Sequence, residues 1–108
     1  MNVYKILGQV NPATTTETVL YTVPALISTV CSSISICNTD VAKTTFRVAI
    51  SESGSSTTIK DYLYYDVTLA GNDTFIATIG ITLTSTDVIK VYSGNNNLSF
   101  QLFGTEIS

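Results

Sequence analysis

Histidine and tryptophan are missing from this chain of 108 residues, and only 12% of its residues are charged. An ordinary soluble domain carries about 25%. Without histidine the commonest general base is gone, and with it the usual serine and cysteine triads. The five basic residues (Lys5, Lys43, Arg47, Lys60, Lys90) are scattered, and the formal net charge is −3. No basic patch follows from that distribution, so nucleic acid is disfavoured as a partner. No apolar run approaches the ~18 residues of a membrane span. The opening MNVYKILGQV lacks the basic start and long apolar stretch of a secretory signal. The expectation is use in the cytoplasm, or release from it by a route other than secretion.

Cysteine is nearly absent as well. Cys31 and Cys37 fall on one expected strand, where about 3.3 Å per residue puts them ~20 Å apart. A disulfide needs Cα atoms within roughly 7 Å, so two free thiols are expected. With no histidine and no third cysteine, a zinc site has no ligand set. Asn72-Asp73 and Asn95-Asn96-Asn97 offer oxygen ligands, but not at the spacing of a calcium loop. The glycines stand singly, so no loop is built to cradle phosphate. Most of the eight carboxylates adjoin predicted turns, where aspartate caps the backbone. These absences predict a chain with no catalytic, cofactor-binding or metal-binding residues, and not an enzyme.

What replaces charge is hydroxyl: 18 threonines and 12 serines. Burying a hydroxyl against another protein costs far less than burying an unpaired charge. The apolar residues follow a period of two. Val19, Tyr21 and Val23 alternate until Pro24, a residue confined to strand ends and sheet edges. Val30, Ile34 and Ile36 form one expected face of a strand over 29–37, with Thr29, Cys31, Ser33, Ser35 and Cys37 opposite. Phe46, Val48 and Ile50 are the next inward set, followed by an exposed, mobile loop at Ser51–Ser56. Tyr62 to Leu69 is a dense strand with tyrosines on both faces. Phe75, Ala77, Ile79, Ile81 and Leu83 share a face, Val88 to Tyr92 is another strand, and Leu98, Phe100 and Leu102 finish the chain.

About eight short strands at such spacing, with no helix, predict an all-β, single-domain antiparallel β-sandwich of jelly-roll-like topology. The immunoglobulin pattern of Cys, Trp and Cys is absent. Residues 1–16 are expected as an N-terminal strand or an arm that orders on a partner, and 17–108 as the sandwich domain. Tyrosine supplies large contact area with a polar tip. Tyr4, Tyr62, Tyr64 and Tyr65 are therefore the candidate subunit-contact residues, with a glycan platform as the other use of the same chemistry.

Several runs also resemble small β-sandwich structural proteins of tailed-bacteriophage virions. They are Leu20-Tyr21-Thr22-Val23-Pro24, Thr44 to Ile50, Tyr62-Leu63-Tyr64-Tyr65-Asp66, Gly71-Asn72-Asp73-Thr74, Gly80-Ile81-Thr82-Leu83 and Phe100 to Gly104. In this order they cover most of the chain from residue 20 onwards. The resemblance implies a virion location and a non-enzymatic structural role. The leading expectation is a capsid decoration (cement) protein that forms a homo-oligomer and contacts the major capsid protein or another virion protein. A tail, neck, baseplate or fibre-attachment component is the alternative within that class, and a lectin-like glycan-binding module the alternative outside it.

Overall fold

The computed structural model describes all of Met1–Ser108. Eight strands run β1 (Asn2–Val10), β2 (Thr18–Thr22), β3 (Ser28–Asn38), β4 (Thr44–Ser51), β5 (Tyr62–Leu69), β6 (Thr74–Leu83), β7 (Val88–Ser93) and β8 (Leu98–Ile107). One sheet has the order β1-β8-β3-β6 and the other β2-β7-β4-β5. Every pairing is antiparallel. Two four-stranded sheets that exchange the chain in this order are the jelly roll, as the strand pattern predicts.

The strands stack because alternation gives each sheet one apolar face. Leu7, Cys31, Ile34, Ile36, Phe100 and Leu102 line the inside of the first sheet. Leu20, Phe46, Val48, Leu69, Ile89 and Val91 line the inside of the second. Phe46 and Phe100 meet across the middle at 6.4 Å, ring edge to ring face. Burying each such Leu, Ile or Phe stabilises the fold by roughly 1.5–3 kcal/mol. Gly104 is required where β8 crosses β3, since a Cβ there would collide with the Val30 carbonyl oxygen.

Bulges change three expectations. The register of β3 slips between Cys31 and Ser33 against both neighbours. One extra residue moves all that precedes it to the other face. Thr29 and Cys31 therefore point into the core with Ile34 and Ile36, while Val30 leaves that set and turns outward. Cys31 and Cys37, both free, lie on opposite faces of β3. Burial pushes the Cys31 thiol up to about 11.

The segment 1–16 does not stand apart from the sandwich. Its strand form is β1, paired with β8 from Asn2–Ile107 to Val10–Phe100. Leu7 reaches the core and Val10 packs on it. The strand form of that segment is thus part of the first sheet. The expected mobile loop at Ser51–Ser56 is a 3-10 turn (Glu52–Gly54) tied down at two points. The Ser53 N–H donates to Asp87 Oδ1 (3.0 Å), and Lys90 Nζ donates to the Ser55 carbonyl (3.0 Å).

Turn chemistry explains the loops between sheets. Asn38 is buried, and its Nδ2 donates to the carbonyls of Ala42 (3.0 Å) and Ala70 (3.2 Å) while its Oδ1 accepts from the Asp40 N–H (3.0 Å). One side chain thus ties the β3–β4 and β5–β6 connections together. Asp61 forms a capping box with Thr58, accepting from the Thr58 N–H at 2.9 Å. That bond, with Lys60 beside it, holds the Asp61 carboxyl below its usual range.

Candidate functional site: two unlike sheet faces

The outer faces of the two sheets are chemically different, and the difference starts in the strands. β3 and β6 contain no charged residue at all. β1 carries only Lys5 and β8 only Glu106. Register places both on the inner side at one end of the sandwich, where Lys5 Nζ donates to Glu106 Oε1 at 3.2 Å. Glu106 Oε2 accepts from the Tyr21 hydroxyl at 2.7 Å, and Tyr21 Oη lies 2.8 Å from Thr29 Oγ1. The Tyr21 bond, then Lys5, lowers the Glu106 pKa, while burial and the neighbouring carboxylate raise that of Tyr21. This polar plug closes the core with the ionic groups pointing inward.

The outer face of the first sheet is consequently free of charge. Three rows across β1, β8, β3 and β6 read Tyr4–Thr105–Val30–Thr82, Ile6–Phe103–Ser33–Thr78 and Gln9–Gln101–Ser35–Ile76. Tyr4 is 80% exposed and Ile76 71%. Ile6 is exposed beside the half-buried Phe103 and Val30. Hydroxyls and amides fill the remaining places. An apolar patch set in uncharged polar groups can be desolvated without stranding an ion.

The second sheet carries charge on its outer face. Arg47 of β4 lies between two tyrosine rings, 4.4 Å from the Tyr65 centroid and 4.2 Å from that of Tyr92. Its Nε donates to Asp66 Oδ1 at 2.6 Å and Nη2 to Oδ2 at 3.3 Å. The fork and the two stacks fix the guanidinium in a way lysine could not reproduce. Tyr62 meets Tyr65 edge-on at 4.8 Å. Lys90 reaches Glu17 at 3.9 Å. Thr15, Glu17, Arg47, Tyr62, Lys90 and Tyr92 line a shallow cleft of about 340 Å³ on this face.

The four expected contact tyrosines are therefore not one surface. Tyr4 stands on the uncharged face of the first sheet, and Tyr62 and Tyr65 belong to the outer face of the second. Tyr64 turns inward and, half-buried, packs on Phe75 at 5.2 Å and Phe46 at 6.1 Å against the core. Ile6, Val30, Phe103, Arg47 and Tyr92 complete the two faces and are not singled out by sequence. Strand alternation alone identifies Phe103 and Tyr92 as outward; the bulge hides Val30.

Most carboxylates have structural partners. Asp40 accepts from the Ala42 N–H, Asp73 from the Thr74 N–H, and Asp87 from the Ser53 and Thr84 N–H groups. Asp61 caps a turn, while Glu17, Asp66 and Glu106 sit in ion pairs. No group of three or more Cys, Asp or Glu side chains is arranged to hold a metal ion. The sequence matches no known family model and no curated protein.

Proposed function

We propose that this chain is a non-enzymatic structural protein of a tailed-phage virion, a capsid decoration protein that bridges capsid subunits with the uncharged outer face of its first sheet. The observation that carries the proposal is the sorting of charge: the ionic side chains of β1 and β8 turn inward and leave a four-stranded face with none. The resemblance of the strand runs to virion β-sandwich proteins supports the virion location.

The magnitudes suit a repeated contact. Four strands at ~4.8 Å spacing and about ten residues at ~3.3 Å give a footprint near 600 Å². If about 57% of it is apolar, as in ordinary interfaces, burial contributes roughly 9 kcal/mol at ~25 cal/mol per Å². Association costs of about 4–15 kcal/mol consume most of that. A single copy would bind weakly, and linked copies would hold by avidity. Lattice proteins with many equivalent sites are the natural partner for such a face.

Quantitative mass spectrometry of purified particles tests the proposal. Hundreds of copies per particle support decoration of the shell; six or twelve would move the protein to the tail, neck or baseplate. Absence from particles would end the virion reading.

One observation favours a second reading, a lectin-like glycan-binding module. The cleft on the second sheet has tyrosine walls, an arginine, a lysine and a glutamate, groups that suit a saccharide. A glycan array probed with the wild type and with Tyr62→Ala and Tyr92→Ala variants decides it. Signal lost in both variants supports the reading, and silence of the wild type removes it.

A further inference from the structure

We infer that β6 is the docking edge for a second copy of this chain, paired antiparallel to its own symmetry mate about a two-fold axis. A β-sandwich has four edge strands, and each presents unpaired backbone groups that recruit another strand unless something blocks it. Here the edges are β1 and β6 in the first sheet, β2 and β5 in the second. Three are blocked. β1 carries an inward-pointing lysine, Lys5, and a bulge between Ile6 and Gly8. β2 is five residues long, slips register between Val19 and Tyr21, and is followed by Pro24. β5 slips register opposite Phe46–Val48 and holds Asp66 at φ 50° within the strand.

β6 has none of these charges. Its ten residues, Thr74–Leu83, include neither charge nor proline. Its pairing with β3 is regular from Thr74 to Thr78 and again from Ile81 to Leu83, with one irregularity between them at Ile79–Gly80, where Gly80 takes φ 55°. In the regular stretches alternate residues aim both their N–H and C=O away from β3, ready for a new ladder.

A separate observation points to the same occupant. The inward row of β6 (Phe75, Ala77, Ile79, Ile81) packs on the core but remains half-exposed along its length, and burial is complete only at Leu83. The opposite face offers Ile76 at 71% exposure. Both sides of the strand thus hold apolar surface that a partner strand would cover. Antiparallel self-pairing meets these needs with one element, because the two-fold sets each free N–H against an identical strand.

The area is sufficient. An edge about 33 Å long on a sandwich roughly 20 Å thick has a footprint near 650 Å² per copy. The total, about 1,300 Å², falls within the range of specific interfaces. The pair would also join two uncharged faces into one continuous eight-stranded face, supplying the linkage that a weak single-copy contact requires. The inference does not depend on the virion reading, since it concerns the isolated protein.

Sedimentation equilibrium of the purified full-length chain tests it. The wild type is expected at twice its 11.6 kDa chain mass. Ile76→Lys and Thr78→Lys, both at exposed positions, are expected at the single-chain mass, with unchanged circular dichroism and a melting temperature that no longer rises with protein concentration. Tyr4→Lys, at the opposite edge, should remain dimeric. A wild type that stays monomeric at ~100 µM overturns the inference, as does a trimer or higher ring. A folded Thr78→Lys protein that still dimerises overturns the assignment to β6.

Discussion

Replacing Tyr21 by phenylalanine isolates the polar plug at the end of the core. The substitution keeps the ring and removes one hydroxyl, which donates to Glu106 at 2.7 Å and lies 2.8 Å from Thr29 Oγ1. A hydrogen bond to a charged group is worth about 1.5–3 kcal/mol, and the fully buried Thr29 hydroxyl also loses its partner. Lys5, 45% exposed, returns little of this through its pair with Glu106. The expected loss at pH 7 is about 2 kcal/mol, or a fall in Tm of roughly 8–10 °C. The pH dependence gives the sharper check. The Glu106 carboxyl titrates below its ordinary 4.5 in the folded protein, so the ionised form is the one the fold favours. Its contribution is complete above that ordinary value and disappears as pH falls through the depressed one. Urea denaturation of wild type and Tyr21→Phe at pH 7 and pH 3 should therefore show a cost that shrinks in acid. An equal cost at both pH values, or one below ~0.5 kcal/mol at pH 7, would refute the argument.

Three further outcomes are expected. Deleting residues 1–16 removes β1, the buried Leu7 and the packed Val10, and bares β8; it should destabilise the fold by at least ~3 kcal/mol, seen as loss of a cooperative melt. Alkylation without reductant should modify both cysteines in denaturant, but in the native protein should spare Cys31, whose thiol is buried and pushed up to about 11. Mass spectrometry reads both states. Gly104→Ala drives a Cβ into the Val30 carbonyl and should cost more than ~2 kcal/mol by thermal denaturation, whereas Gly94→Ala meets chiefly movable threonine hydroxyls and should cost less.

Much of the fold is legible in the letters because alternation survives wherever pairing is regular. β6 and β8 keep strict period two from end to end, so Phe75 to Leu83 and Leu98 to Leu102 can be assigned to the core by inspection. Legibility fails at bulges. Nothing local in Cys31-Ser32-Ser33 marks the inserted residue, because serine fits either face, and Val30 is thereby misplaced. The same holds for Tyr62 and Tyr64, two apart in sequence yet on opposite sides of β5 because the register slips between them. The charge-free face could be suspected from the rarity of ions, but its completeness required register, which turns Lys5 and Glu106 inward. Arg47 was invisible as a centre because Tyr65, Asp66 and Tyr92 come to it from two other strands.

The claim that the protein works by docking its uncharged sheet face is tested most directly by placing one charge there. Ile6→Lys puts an ammonium on the face at its exposed β1 edge, beside Phe103, while Thr68→Lys puts the same group at an exposed position on β5 in the other sheet. Retention of each purified variant on particles stripped of the native protein is the measurement. The account predicts that Thr68→Lys binds like wild type and that Ile6→Lys is lost from the particles while melting normally; equal retention of the two would contradict it.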